Sequence, residues 1–234
     1  MNNDLLDDNQ ATSIRFYYDL RTLRNITLFS ISLGIALFLT RIVFICVVWS
    51  LIDSVQRGSE VNKFMWFAEA VDMLERTSLV VLYLGLIPFF MWLYRAYFNL
   101  ENVNLKGLSV TAGWAVGWFF IPFANFFYYD VVILNDLLRG TRHLSTGNAP
   151  SKTIDGIPVP PVGLFFVIAW LFAGVIDRIA KQQILSGNIP SFTSGVILEG
   201  VSDLLYIVTG CLVFYVVFWV SKKHNEIYQG ESIL

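Results

Sequence analysis

Five apolar runs, roughly 26–52, 77–98, 110–135, 161–184 and 196–221, dominate this chain of 234 residues. Each is close to the ~20 residues that a helix needs to cross the ~30 Å hydrocarbon core of a bilayer. A lone strand in lipid leaves its backbone groups unpaired, so runs of this kind must be helical. The predicted fold is an all-α integral membrane protein with five membrane-embedded helical segments. The composition agrees: 56% of residues are hydrophobic and 15% charged, with a mean hydropathy of +0.60. An average soluble domain carries ~25% charged residues. A net charge of −2 provides no basic field, so nucleic acid is not an expected partner. The expected partners are the lipid bilayer and either a second copy of the chain or another membrane protein.

The runs divide the chain into an amphipathic N-terminal segment (1–25), a helical transmembrane domain (26–221) with a polar loop at 139–160, and a polar C-terminal tail (222–234). In the first segment Ile14, Tyr17, Tyr18 and Leu20 alternate with Arg15, Arg21 and Arg24. That pattern suits an interfacial helix whose arginines reach headgroups. A second amphipathic stretch, 59–76, sets Val61, Phe64, Met65, Ala68, Val71 and Leu74 on one face. The first ten residues, MNNDLLDDNQ, are acidic and lack the basic start of a signal peptide.

Sidedness turns on the third run. With five crossings and a cytoplasmic N-terminus, seven Lys and Arg fall inside and eight outside. If the third run enters and returns without crossing, ten fall inside and five outside. The positive-inside rule favours the second arrangement and hydropathy the first.

Polar residues inside apolar runs mark the candidate sites. Arg41 lies deep in the first run, with eleven residues between it and the run's end, a span of ~16 Å at ~1.5 Å per residue. A mid-span arginine costs ~2.5–3.5 kcal/mol on insertion scales. It therefore turns inward to a partner, in a structural ion pair or along a substrate or ion path. Glu199 and Asp203, one helical turn apart on the fifth run, are the expected partners. Asp177 and Arg178 read as the boundary of the fourth run or as members of the same network. Arg95 and Asn99, also one turn apart, are expected either at headgroups or in hydrogen bonds to the third run. His143 and His224 are assigned to the loop and the tail, and no metal site contains either. Cys46 and Cys211 are read as small buried hydrophobes.

The third run, GWAVGWFFIPFANFFYYD at 113–130, places Trp114, Trp118, Ile121 and Asn125 on one helical face. Gly113 and Gly117 form a GxxxG stripe that lets a neighbouring backbone approach. Pro122 frees the carbonyl of Trp118 and biases Ile121 away from helical angles. A kink at Pro122 is expected, with Asn125 bonding to the opened backbone.

Trp92, Arg95 and Asn99 in WLYRAYFNL, followed by Gly113, Trp114, Trp118, Phe119, Pro122 and Asn125, form a paired motif. In this motif, and in a closing D-x-L-x-I-V-like segment at Asp203, the chain resembles a bacterial membrane family catalogued as domain of unknown function 4328. The likeness runs over roughly 30–225. It implies a helical fold and a multi-pass place in the bacterial cytoplasmic membrane, and it implies no activity. One departure is FFYYD at 126–130, where members carry a basic residue and Pro.

The residues supply no nucleophile elbow, phosphate loop or zinc motif. The expected function is that of a non-enzymatic module acting through partners or self-association, without cofactor or metal. Two alternatives are a small channel or transporter with a polar path near Arg41, Asn125, Glu199 and Asp203, and a lipid-binding or lipid-modifying protein.

Overall fold

A computed structural model describes residues 18–58, 61–121, 130–146, 153–154, 156–185 and 189–231. The described chain is helical. It comprises α1 (Arg21–Gln56), α2 (Val61–Asn102), α3 (Ala112–Gly117), a 3₁₀ turn at Trp118–Phe120, α4 (Asp130–Ser145), α5 (Val162–Leu185) and α6 (Ile189–Glu231). No strand is present among the described residues; Lys106 and Thr153 form an isolated bridge.

Among the described residues four helices are long and apolar enough to cross a membrane: Arg21–Ile52, Asn62–Asn102, Val162–Leu185 and Ser191–Ile227. Only 17–28% of each apolar window is buried within the chain. Large side chains such as Phe29, Met73, Tyr83, Phe172 and Leu204 point outward, while Arg41 and Asp203 point inward. Apolar surface outside and charge inside fit a lipid environment. Four hydroxyls within the spans return to their own helix: Thr40, Thr77, Ser78 and Thr209 each donate to the carbonyl four residues before. These polar residues therefore leave the helices unbroken.

The third run is not one helix. It forms the six-residue α3, the single 3₁₀ turn and an extended Ile121 (φ −100°, ψ 106°). Asp130–Ser145 is again helical. The extended Ile121 is what a following proline imposes. Pro122 and Asn125 lie outside the described residues, and with them the expected kink and the expected hydrogen bond.

Other boundaries also differ from expectation. Residues 61–76 of the amphipathic stretch are continuous with the second run in α2. Helix α4 carries residues 139–145, assigned above to the loop, and α6 carries the expected tail as far as Glu231. His143 and His224 are therefore buried helical residues, not loop and tail residues. Cys46 and Cys211 are exposed rather than buried.

The chain divides into two compact units. The first holds the described residues of 18–28, 87–167 and 215–231; the second holds 29–86 and 168–214. Each long helix contributes a stretch to both.

In the second unit, glycine sets the helix approach. A methyl added at Gly195 on α6 would lie 2.9 Å from the carbonyl oxygen of Ala180 on α5. At Gly210 it would lie 3.1 Å from Ile35 on α1. Ser202 Oγ donates to the Ala173 carbonyl at 2.9 Å and locks α6 to α5 beside the charged residues described below.

The first unit has a conventional core of Leu20, Trp92, Leu93, Tyr97, Ile133 and Val217. After α2 the chain turns through Asn104 and Gly107, both at positive φ. Gly107 lies against Thr153 and Ile154, and Ile154 N donates to the Lys106 carbonyl at 3.1 Å.

Candidate functional site

In the second unit four helices bring six charged side chains together. Arg41 comes from α1, Glu75 from α2, Asp177 and Lys181 from α5, and Glu199 and Asp203 from α6. The Arg41 side chain is 3% exposed. Its Nη1 donates to Asp203 Oδ1 at 2.7 Å, and its Nη2 donates to both Glu199 Oε1 and Glu75 Oε2, the latter at 3.3 Å. Lys181 Nζ meets Glu75 Oε1 at 2.5 Å and Asp177 Oδ2 at 3.0 Å. Glu75 thus joins the two cations.

Arg41 suits this centre because its planar fork of five donors can serve several carboxylates at once. Even so, the set is not balanced. Four carboxylates surround two cations. Among the described residues, buried Asp203 Oδ2 accepts no hydrogen bond and Arg41 Nε donates none. An unpaired carboxylate oxygen in an apolar interior is costly. Exposure falls in steps along the cluster. Side-chain exposure is 44% at Lys181, 23% at Glu75, 10% at Glu199 and 1% at Asp203. Beyond Asp203, one turn along α6, the Tyr206 ring stacks on Phe38 with centroids 5.4 Å apart. Among the described residues no three His, Cys, Asp or Glu side chains converge as ligands for a metal ion.

Of the sequence candidates, Arg41, Glu199, Asp203 and Asp177 meet in this cluster, whereas Arg178 is exposed. Sequence reasoning missed Glu75 and the role of Lys181. A signal for Glu75 was present: it lies four residues after Val71 and seven after Ala68, on the apolar stripe of its helix.

The motif residues belong to the first unit. Trp92 Nε1 donates to Ser221 Oγ on α6 at 2.8 Å. Asn99 clasps Tyr18, accepting from its backbone N at 2.8 Å and donating to its carbonyl at 3.1 Å. The Asn99 amide also lies 3.5 Å from His224 Nδ1, and His224 Nε2 lies 3.0 Å from Thr141 Oγ1. An amide nitrogen only donates, so Nδ1 accepts here and Nε2 carries the hydrogen toward Thr141. Among the described residues, Asn99 therefore bonds to α6 and to the residues preceding α1. His224 had a legible signal as well, since Val216, Val217, Val220, Ser221 and His224 continue one helical stripe through Lys222 and Lys223. Asp136 on α4 accepts from Tyr97 OH at 3.0 Å and from Ser109 N at 2.8 Å. Arg95 lies over the Tyr18 ring, 5.4 Å from its centroid. Trp114 and Trp118 pack on each other at 5.3 Å.

Among the described residues, no helix packs on the GxxxG stripe. A methyl at Gly113 would meet no atom within 4 Å, and one at Gly117 would meet only the Trp114 ring. Close approach occurs instead at Gly140, Gly163 and Gly195.

A family model described as Domain of unknown function (DUF4328) matches residues 53–222. The chain belongs to the DUF4328 family. The match takes in Glu75, the Trp92–Asn99 motif, Glu199, Asp203 and Ser221. Arg41 precedes the DUF4328 region and His224 follows it, a narrower extent than the likeness of 30–225 expected from the motifs. The comparisons with curated proteins and with solved structures found no match.

Proposed function

We propose that this DUF4328 chain is a non-enzymatic, multi-pass module of the bacterial cytoplasmic membrane that carries protons through the Arg41–Asp203 cluster. One observation carries the reading. Ionisable groups run in contact from the half-exposed Lys181, through Glu75 and Arg41, to Glu199 and to Asp203, whose second oxygen is buried without a partner. The carboxylates outnumber the cations, and a proton neutralises a buried carboxylate while turning it into a donor. Ionisable residues of this kind inside a membrane mark proton relays and ion paths. The carboxylates do not converge as metal ligands among the described residues, which favours the proton over a metal cation.

The test is infrared spectroscopy of the protein in bilayers as the buffer is taken from alkaline to acidic. A component of the carboxylic-acid C=O band should grow in the wild type and be missing in Asp203→Asn, above the contribution of the other carboxylates, which both share. Glu199→Gln, which keeps the hydrogen-bonding shape, should shift that band and not abolish it. Identical bands in the wild type and Asp203→Asn would remove the proposal.

A further inference from the structure

An open groove of about 370 Å³ lies between α2 and α3 in the first unit, lined by Phe90, Met91, Tyr94, Arg95, Gly113 and Val116. Its floor and walls are apolar, and Arg95 is the only charged residue among the described residues that line it. The Arg95 guanidinium rests on the Tyr18 ring and has no carboxylate within ion-pair distance among the described residues. Gly113 leaves the trough open, since the space where its side chain would project is empty to 4 Å. Arg95 also lies seven residues before the end of α2, a rise of ~10 Å. At that depth a long side chain reaches the boundary between acyl chains and headgroups.

We propose that this groove binds one anionic phospholipid. The acyl chain lies along Phe90, Met91 and Val116, and the phosphate is held by Arg95. The match is one of charge and shape. The occupant must present an aliphatic body to the trough and an anion to its single cation. A guanidinium fork pairs with phosphate through two parallel N–H···O bonds, which a lysine does not reproduce. The ring of Tyr18 holds the guanidinium in place before the lipid arrives, so little side-chain freedom remains to be lost on binding. The proposal gives a role to Arg95 and Gly113, neither of which the packing of the first unit requires. It is independent of the charge cluster of the second unit.

The experiment is native mass spectrometry of the purified full chain, with added phosphatidylglycerol and, separately, phosphatidylcholine. The wild type should retain one phosphatidylglycerol in preference to phosphatidylcholine. Arg95→Gln should lower phosphatidylglycerol retention roughly fivefold and leave phosphatidylcholine unchanged. Gly113→Leu should lower the retention of both lipids, because the new side chain fills the trough. It should fold normally, since nothing lies within 4 Å of the added atoms' first position; unchanged helical circular dichroism is the control. Equal retention of the two lipids by the wild type would overturn the proposal, as would full phosphatidylglycerol retention by Arg95→Gln. Loss of a chain dimer in Gly113→Leu with lipid retention intact would also overturn it, by showing that a second copy occupies the groove.

Discussion

Arg41 is the residue on which the second unit depends. Its guanidinium is the shared donor of Glu75, Glu199 and Asp203. Truncating one partner of a buried ion pair leaves the other charge without compensation, at ~3–5 kcal/mol. Arg41→Ala should therefore destabilise the protein in detergent by about that amount, measured by denaturant unfolding followed by circular dichroism. Adding Asp203→Ala should restore part of the loss, because the stranded carboxylate goes with it. Purely additive effects would show that the two do not act as a pair. Arg41 and Asp203 were legible in the sequence because a charge within an apolar run has few explanations. Glu75 was legible only as an acid on the apolar stripe of an amphipathic stretch, a weaker signal than a charge deep in an apolar run. Pairing across four helices is a tertiary property that no spacing along the chain encodes.

At the scale of elements, hydropathy located the four long apolar helices of the described residues. The third run has the composition of a span and the backbone of a break, with Ile121 extended directly before Pro122. Hydropathy measures transfer to lipid and is blind to a proline's effect on the residue before it. Helix ends were misplaced for a related reason. The apolar run marks only the lipid-length part of α6, whereas the helix continues because Val220, Ser221 and His224 remain buried within the first unit. Glycine shows a similar division between sequence and structure. The GxxxG pair at Gly113 and Gly117 reads as a helix seam, yet the tight contact lies at Gly195, which no motif announces. Gly195→Leu should push α6 off Ala180 and lower the thermal unfolding temperature. Gly174→Ala, on the same α5 that Gly195 contacts, adds a methyl to open space and should be neutral or stabilising by ~0.5–1 kcal/mol. Both are read by thermal unfolding of the purified protein. Equal destabilisation by the two would contradict the assigned contact.

For the whole molecule, an arrangement in which only the four candidate spans of the described residues cross would put the start of α1 and the end of α6 on one side of the membrane. The same arrangement gives the ten-to-five distribution of basic residues that the positive-inside rule prefers over seven-to-eight. Membrane class and family were open to sequence reasoning, because apolar length and a Trp–Pro motif are local properties. The path from Lys181 to Asp203 was not, because it exists only once four helices are packed. That path is the account's central claim, and proton flux is its most direct readout. In liposomes with an imposed inside-negative potential, the wild-type protein should acidify the lumen faster than protein-free liposomes do. Asp203→Asn should return the rate to the protein-free value. A wild-type rate equal to that of protein-free liposomes, or one that Asp203→Asn leaves unchanged, would contradict the account.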